Sequence, residues 1–487
     1  AELVKAHEKR RNVQAIIDGK AGAIANPDQA LAQLGDAMKD LPPMDAGRAL
    51  YTAANAYANA GQWGMAREAY LMLLDKYPGH PLSLDAARWV IRFQSSSEAR
   101  RRHELGQFIE VTDAAFLVKE RKDPPGAIPL AKKDNDPPAE NPVPKKKSHP
   151  ASVELLQATH HQTLTGMVSA RKWYESALGL EAPLAAHGDL FARDVPTNLC
   201  LAAARRQLGR AEESHRWFLR YITETTVPLG APTAAKGSDP WRDCVLMESW
   251  LVNRAGQPVP PKPVAACKRT TVRPHLDGKL DDECWSQAVP MYLATTAGDL
   301  GTEFGCREAI EREYKDKGKS GATSLQEAVA EGTRAAFAFD DENLYIAVVC
   351  RHPAGMKKET LDKRARDMDL RPFDRVSILI DLDRDYQTYY QLQIDQRGAV
   401  TEDCWGDKTW NPKWFVAVQA DETGWTAEAA IPLSELTGDV IAPGKLWAVN
   451  VVRTVPGKGI QAWSGPAGVT PRPEGMGILT FVGEAKK

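Results

Sequence analysis

Residues 374–400 read DRVSILIDLDRDYQTYYQLQIDQRGAV, and their spacing decides the fold of the second half of the chain. Val376, Ile378 and Ile380 alternate with polar Ser377 and Asp381, a period of two that turns one side of an extended segment to a core and the other away from it. YYQLQIDQRGAV reads as the next strand and its turn. Working outward, FAFDDENLYIAVVCRHP (337–353) predicts a strand ending at Phe339 and a second over Leu344 to Cys350, joined as a hairpin by the polar turn Asp340 to Asn343. GWTAEAAIPLSEL (424–436) and LWAVNVVRTV (446–455) add strands closed by Gly, Pro or Asp, and RPHLDGKLDDECW (273–285) carries a turn at Asp277-Gly278. Short strands at this density predict an antiparallel β-sandwich.

Upstream the pattern changes. Ala, Leu and Arg at helical spacing dominate up to GQPVPPKP (256–263), a proline cluster that suits neither a helix interior nor a central strand because proline lacks the N–H both need. A second break lies at 123–150, where 8 prolines and 5 lysines fall within 28 residues. The expected organisation is a helical part at 1–122, a linker at 123–150, a second helical part at 151–255, a linker at 256–269 and the sandwich at 270–487. The stretch from Leu300 to Gly332 reads as a surface excursion from the sandwich.

Composition narrows the function classes. With 62 Lys+Arg against 64 Asp+Glu the 487-residue chain carries a formal charge of −2, so no global field draws it to nucleic acid or an anionic membrane. Lys145-Lys146-Lys147 sits in the proline-rich linker without interleaved aromatics, which argues against a nucleic-acid groove. No apolar run reaches the ~18 residues of a membrane span. Seven cysteines between Cys200 and Cys404 show no zinc-site spacing, and leave disulfides and plain buried thiols as open alternatives. The chain opens on Ala1 and lacks a basic-then-apolar leader, which is compatible with an export signal already removed and leaves the compartment open.

Leu50, Ala54, Tyr57, Gly61, Ala66, Tyr70, Leu73 and Pro78 stand at the spacings of a 34-residue helix-turn-helix unit, with fainter echoes at Ala170/Tyr174 and Gly209/Ser214/Phe218. This resembles a tetratricopeptide repeat, and it implies a small helical stack, completed by helices near Leu82 to Phe93 and Leu155 to Thr163, that binds a protein partner. A generic helical bundle is the alternative.

The collinear series LDGKLDDECW, DDENLYIAV, DRVSILIDLD, YYQLQIDQRGAV, GWTAEAAIPLSEL, LWAVNVVRT, AWSG and GMGILTF resembles the family 9 carbohydrate-binding modules over about 210 residues. The resemblance implies a non-catalytic, extracytoplasmic glycan-binding sandwich, since such modules hold a sugar between two tryptophan faces with polar side chains fixing its hydroxyls. Trp463 matches the second tryptophan. The first is replaced within Arg371-Pro372-Phe373, a strand acid by Ser377 and an arginine by Gln393. Trp405, Trp410 and Trp414 in CWGDKTWNPKW form a further aromatic group, so a cleft would draw on Trp463, Phe373, Arg371, Gln393 and Trp405 or Trp410. The competing expectation is that these tryptophans cap the sandwich.

Asp381, Asp383 and Asp385 make a D-x-D-x-D run suited to a hard cation, and the resemblance implies structural Ca²⁺ near it or near Asp340/Asp341. The loop lacks the glycine at its sixth and the glutamate at its twelfth position, which reads as a solvated acidic turn instead. No active site is expected. Gly318-Lys319-Ser320 lacks the glycine of a phosphate loop, GxSxG and HExxH are absent, and His160-His161 has no orienting carboxylate. The main expectation is therefore a glycan- and protein-binding protein. The alternatives are an assembly or adhesion protein whose sandwich has lost sugar binding, favoured by the replacements at Arg371, Ser377 and Gln393, and a haem-binding sandwich with His352, Met356 or Met368 as axial ligands.

Overall fold

The computed structural model describes residues 41–107, 169–185, 188–225, 239–253, 259–295, 332–353 and 366–483, with a few single positions beside them. The segments 123–150 and 155–163, His160-His161 and Gly318-Lys319-Ser320 lie outside the described residues, as does most of 300–332.

Helices come first. Helix α1 (Pro43–Asn59) opens on a proline at its first position, where the missing N–H costs nothing. It turns into α2 (Trp63–Lys76) through Gly61, whose φ of +72° is left-handed backbone that a side chain resists. Leu50, Ala54, Ala66, Tyr70 and Leu73 are buried between these two helices and α3 (Ser83–Ser95). The chain bends at Ser96, whose Oγ accepts from Ala99 N and caps α4 (Ser97–Glu104). Asp194 and Asp239 cap α5 (Val195–Gln207) and α7 (Pro240–Val252), with α6 (Ala211–Thr225) between them.

A Gly61→Ala substitution is expected to cost about 1–2 kcal/mol through its left-handed backbone. The added Cβ would also lie 2.7 Å from Asp407 Oδ2 and push that carboxylate off buried Arg102. A thermal melt checks this, and an unaltered midpoint would contradict it.

Thirteen strands follow among the described residues: β1 (Val264–Arg269), β2 (Met291–Tyr292), β3 (Ala294–Thr295), β4 (Arg334–Phe339), β5 (Asn343–Arg351), β6 (Arg375–Asp381), β7 (Tyr390–Asp395), β8 (Val400–Cys404), β9 (Phe415–Ala420), β10 (Gly424–Pro432), β11 (Leu446–Val455), β12 (Gly459–Ala462) and β13 (Gly477–Val482). They form one sheet in the order β8-β7-β6-β11-β13-β1-β4-β5-β10-β9, with β12 on β11 and β3, and β2 on β4. The sheet curls so that its two halves face each other. Val376, Ile378, Ile380, Leu392, Val449 and Val451 of one half share a buried cluster with Phe337, Leu344, Ile346, Val348 and Trp425 of the other.

Two expectations change. Residues 264–269, read as linker, form β1 in the middle of the sheet. Because β1 runs parallel to both β13 and β4, the sheet is mixed instead of wholly antiparallel. The predicted hairpin is present, β4 and β5 pairing antiparallel around Asp340 to Glu342. Asp340 Oδ1 fixes its turn by accepting from the N–H groups of Glu342 and Asn343.

The helices pack on the sheet. Leu379, Ala448 and Ile478, on the outer side of β6, β11 and β13, are covered by Leu199, Phe218, Tyr221, Val245 and Met247. Trp63, Phe93 and Trp173 join the inner cluster at the β7–β8 end. Among the described residues all six cysteines are free and buried, and no helix is long and apolar enough to cross a membrane.

Candidate functional site

The aromatic residues singled out by sequence do not converge. Gly477 pairs with Val449, which points into the core, and a Cβ at Gly477 would lie 2.6 Å from the Trp463 ring. Trp463 is thus packed on the inner side of the sheet. Gln393 lies on the outer side, where its Nε2 donates to Ser377 Oγ at 2.7 Å. The Phe373 ring carries the Arg397 guanidinium, and exposed Arg371 pairs with Asp369.

Trp410 is fully buried and stacks on Tyr390 at 4.3 Å between ring centroids. Trp405, at a left-handed φ of 51°, is packed by Trp63 (5.5 Å) and Trp89 (5.9 Å) of the helical part. The CWGDKTWNPKW loop is therefore a joint between sheet and helices. Its covering partners lie more than 300 residues upstream, beyond the reach of local spacing.

A groove that sequence reasoning missed runs along the outer side of β4, β5, β10 and β9. The period of two places Val349 and Arg351 of β5, Thr426 of β10 and Gln419 of β9 on that side, with Gly424 opposite Arg351 and Thr426 opposite both Val349 and Gln419. One section, about 590 Å³, is lined by Lys279, Arg351, Gln419, Asp421 and Thr426. A second, about 320 Å³, shares Leu280 and Val349 with it and ends on Trp285, Pro290 and Tyr292. The wall is the LDGKLDDECW segment. It is anchored by Glu428, whose Oε2 accepts from the N–H groups of Asp277 and Gly278 and whose Oε1 accepts from Trp285 Nε1 at 2.7 Å. Burial raises the Glu428 pKa against those three hydrogen bonds. The only sequence signal for this groove was the Asp277-Gly278 turn.

Two buried ionic sites hold the structure around it. In the first, Arg453 and Asp374 are both fully buried and bidentate, Nε to Oδ1 at 2.9 Å and Nη2 to Oδ2 at 2.6 Å. Trp425 Nε1 also donates to Asp374 Oδ2, and Arg453 Nη1 donates to Thr333 Oγ1 and the Arg351 carbonyl. This pair pins β11 and the start of β6 to β5 and β10, across the two sheet halves. His352 lies beside the pair, its pKa lowered by burial.

The second is the D-x-D-x-D run, which is buried and not solvated as its composition suggested. Asp381 Oδ1 accepts from the N–H groups of Asp383 and Arg384, and its Oδ2 from Tyr386 N, so the carboxylate is the hub of its own loop. Glu98 of α4 enters from the helical part. Its Oε1 accepts from Leu382 N at 2.7 Å, while Asp383 Oδ2 accepts from Ser97 N at 2.6 Å. Carboxylate oxygens of Glu98, Asp381 and Asp383 lie within 4.8 Å of one another. Burial, with the neighbouring carboxylates adding, raises the pKa values of Glu98 and Asp381, and it raises Asp385 to about 7.

No family model matches the chain, and no curated protein does. Among solved structures it is similar to a family 9 carbohydrate-binding module from Caldicellulosiruptor kristjanssonii in complex with cellotriose, at 12% identity and a TM-score of 0.31, over 46% of this chain and 95% of that one. The same module in complex with glucose gives the same identity and score over 46% and 98%. A putative carbohydrate-binding protein from Bacteroides uniformis ATCC 8492 matches at 12% and 0.31 over 45% and 99%. Likeness at that level carries no functional argument by itself.

Proposed function

We propose that the protein is a non-catalytic glycan-binding protein, and that the glycan lies in the groove on the outer side of β4, β5, β10 and β9. The observation that supports this reading is the groove's lining. A sugar offers apolar C–H faces and a rim of hydroxyls, and it needs flat apolar side chains together with directional donors and acceptors. Tyr292, Trp285 and Leu280 supply the first, Arg351, Gln419 and Lys279 the second. Arg351 and Gln419 are exposed on the same side of the sheet and able to reach a ligand. The helical part, read as a tetratricopeptide-like stack, offers a protein partner the side of α1 and α2 not taken up by the sandwich. A glycan ligand goes with an extracytoplasmic location.

Calorimetric titration of the full chain with β-glucan, xylan and mannan oligosaccharides tests the reading. Arg351→Ala with Gln419→Ala is expected to weaken binding at least about tenfold, since each lost hydrogen bond to a bound ligand is worth ~1 kcal/mol or more. The melting midpoint should hold. Absence of binding by the parent, or full affinity in the double variant, would overturn the assignment. The assembly-protein alternative is favoured by one observation, that Trp463 and Gln393 stand on opposite sides of the sheet.

A further inference from the structure

The sheet register sets five outward side chains in one row. Tyr292 of β2 stands opposite Arg334 of β4, Arg334 opposite Val349 of β5, Val349 opposite Thr426 of β10, and Thr426 opposite Gln419 of β9. All five line the groove, Val349 belonging to both of its sections. At about 4.8 Å between neighbouring strands the row is roughly 19 Å long, and it ends on β9, the last strand of the sheet. One bank is the segment anchored by Glu428. A continuous floor of that length, running out at a sheet edge, suits an extended chain better than a single sugar ring.

On the other bank stands Arg351. It lies two residues beyond Val349 on the same side of β5 and is paired with Gly424, where a Cβ would run into the Cys350 carbonyl oxygen, so no side chain stands across from it. Arg351 is exposed, and among the described residues no carboxylate pairs with it. The acids close by are already engaged. Both oxygens of Glu428 accept from the wall. Asp421, the acid among the groove's described lining residues, accepts through Oδ1 from Thr423 N, Thr423 Oγ1 and Gly424 N of its own turn. Lys279 is held by Asp277 at 2.9 Å. The Arg351 guanidinium is thus a charge the chain itself leaves unspent. Its planar fork matches a carboxylate through two parallel N–H bonds, a fit that a lone sugar hydroxyl does not offer.

We infer that the groove takes a linear acidic glycan, its chain laid along the row and a uronic acid carboxylate paired bidentate with Arg351. This rests on the reading of the groove as the glycan site. Thr426 and Gln419 meet hydroxyls and half-exposed Tyr292 covers a ring face, as they would for a neutral chain, so the carboxylate adds affinity to contacts that a neutral glycan also makes. Because the pair forms at an exposed side chain, its contribution is screened by salt.

The test uses the full chain and matched probes: glucuronoxylan and galacturonan oligosaccharides, each against the same oligosaccharide with its carboxyl groups reduced to alcohols. Calorimetry at low salt is expected to show the acidic form bound at least about tenfold tighter, the margin expected of hydrogen bonds to a charged group. That preference should shrink in about 1 M NaCl, where screening acts within ~3 Å. Arg351→Gln should bring the two affinities together while the melting midpoint holds. Affinity should also rise at least about tenfold from disaccharide to hexasaccharide, as more of the row is engaged. Equal affinity for the two forms in both pairs, or a preference that survives in Arg351→Gln, would overturn the inference and leave the groove reading standing. A disaccharide bound as tightly as a hexasaccharide would overturn the extended placement. Binding of no probe, acidic or neutral, would overturn the groove reading and this inference with it.

Discussion

Asp374→Ala is expected to lower the unfolding free energy by about 3–5 kcal/mol, because it leaves the Arg453 guanidinium buried with no counter-charge. Arg453 and Asp374 are both 0% exposed, so solvent cannot take over the charge that is left. Trp425 Nε1 loses its acceptor in the same step. The pair's net value is much smaller than the cost of breaking it, since both ions were desolvated to form it. Asp374→Leu combined with Arg453→Met should therefore recover most of the loss. Denaturant unfolding of the single and double variants checks both statements, and a double variant no better than Asp374→Ala would show that the pair's attraction, and not its stranded charge, dominates.

Trp410→Ala is the second large effect. A fully buried indole stacked on Tyr390 leaves a cavity that the surrounding strands cannot close, at about 3–5 kcal/mol. Glycan affinity, measured on the folded fraction, should not alter, because Trp410 is buried in the inner core and does not line the groove. A variant of parental stability that had lost glycan binding would restore the reading of the CWGDKTWNPKW loop as a ligand platform.

The strands were legible where their information is local. Alternation in DRVSILIDLD and the Asp340 to Asn343 turn gave β6 and the β4–β5 hairpin nearly to the residue, since side-chain period and turn chemistry act within a few positions. β1 was hidden because VAACKR follows a proline cluster, and its strand character comes from β13 and β4, which pair with it from more than 60 residues away. The same limit applied to the site. The acidic run looked solvated because Glu98 and Ser97, which meet it, lie more than 280 residues upstream. Tyr292, Arg351 and Gln419 carry no motif, and only the sheet register brings them to one groove.

The aromatic joint between helices and sheet also sets a schedule for the nascent chain. Trp63, Trp89 and Phe93 are complete early in synthesis, but Trp405, which they pack against, leaves the ribosome about 300 residues later. At roughly 5–20 residues per second that interval is on the order of 15–60 s. For that time the joint lacks its Trp405 side, and the helical faces of Trp63 and Trp89 that it covers stay open to other chains until the sandwich is made.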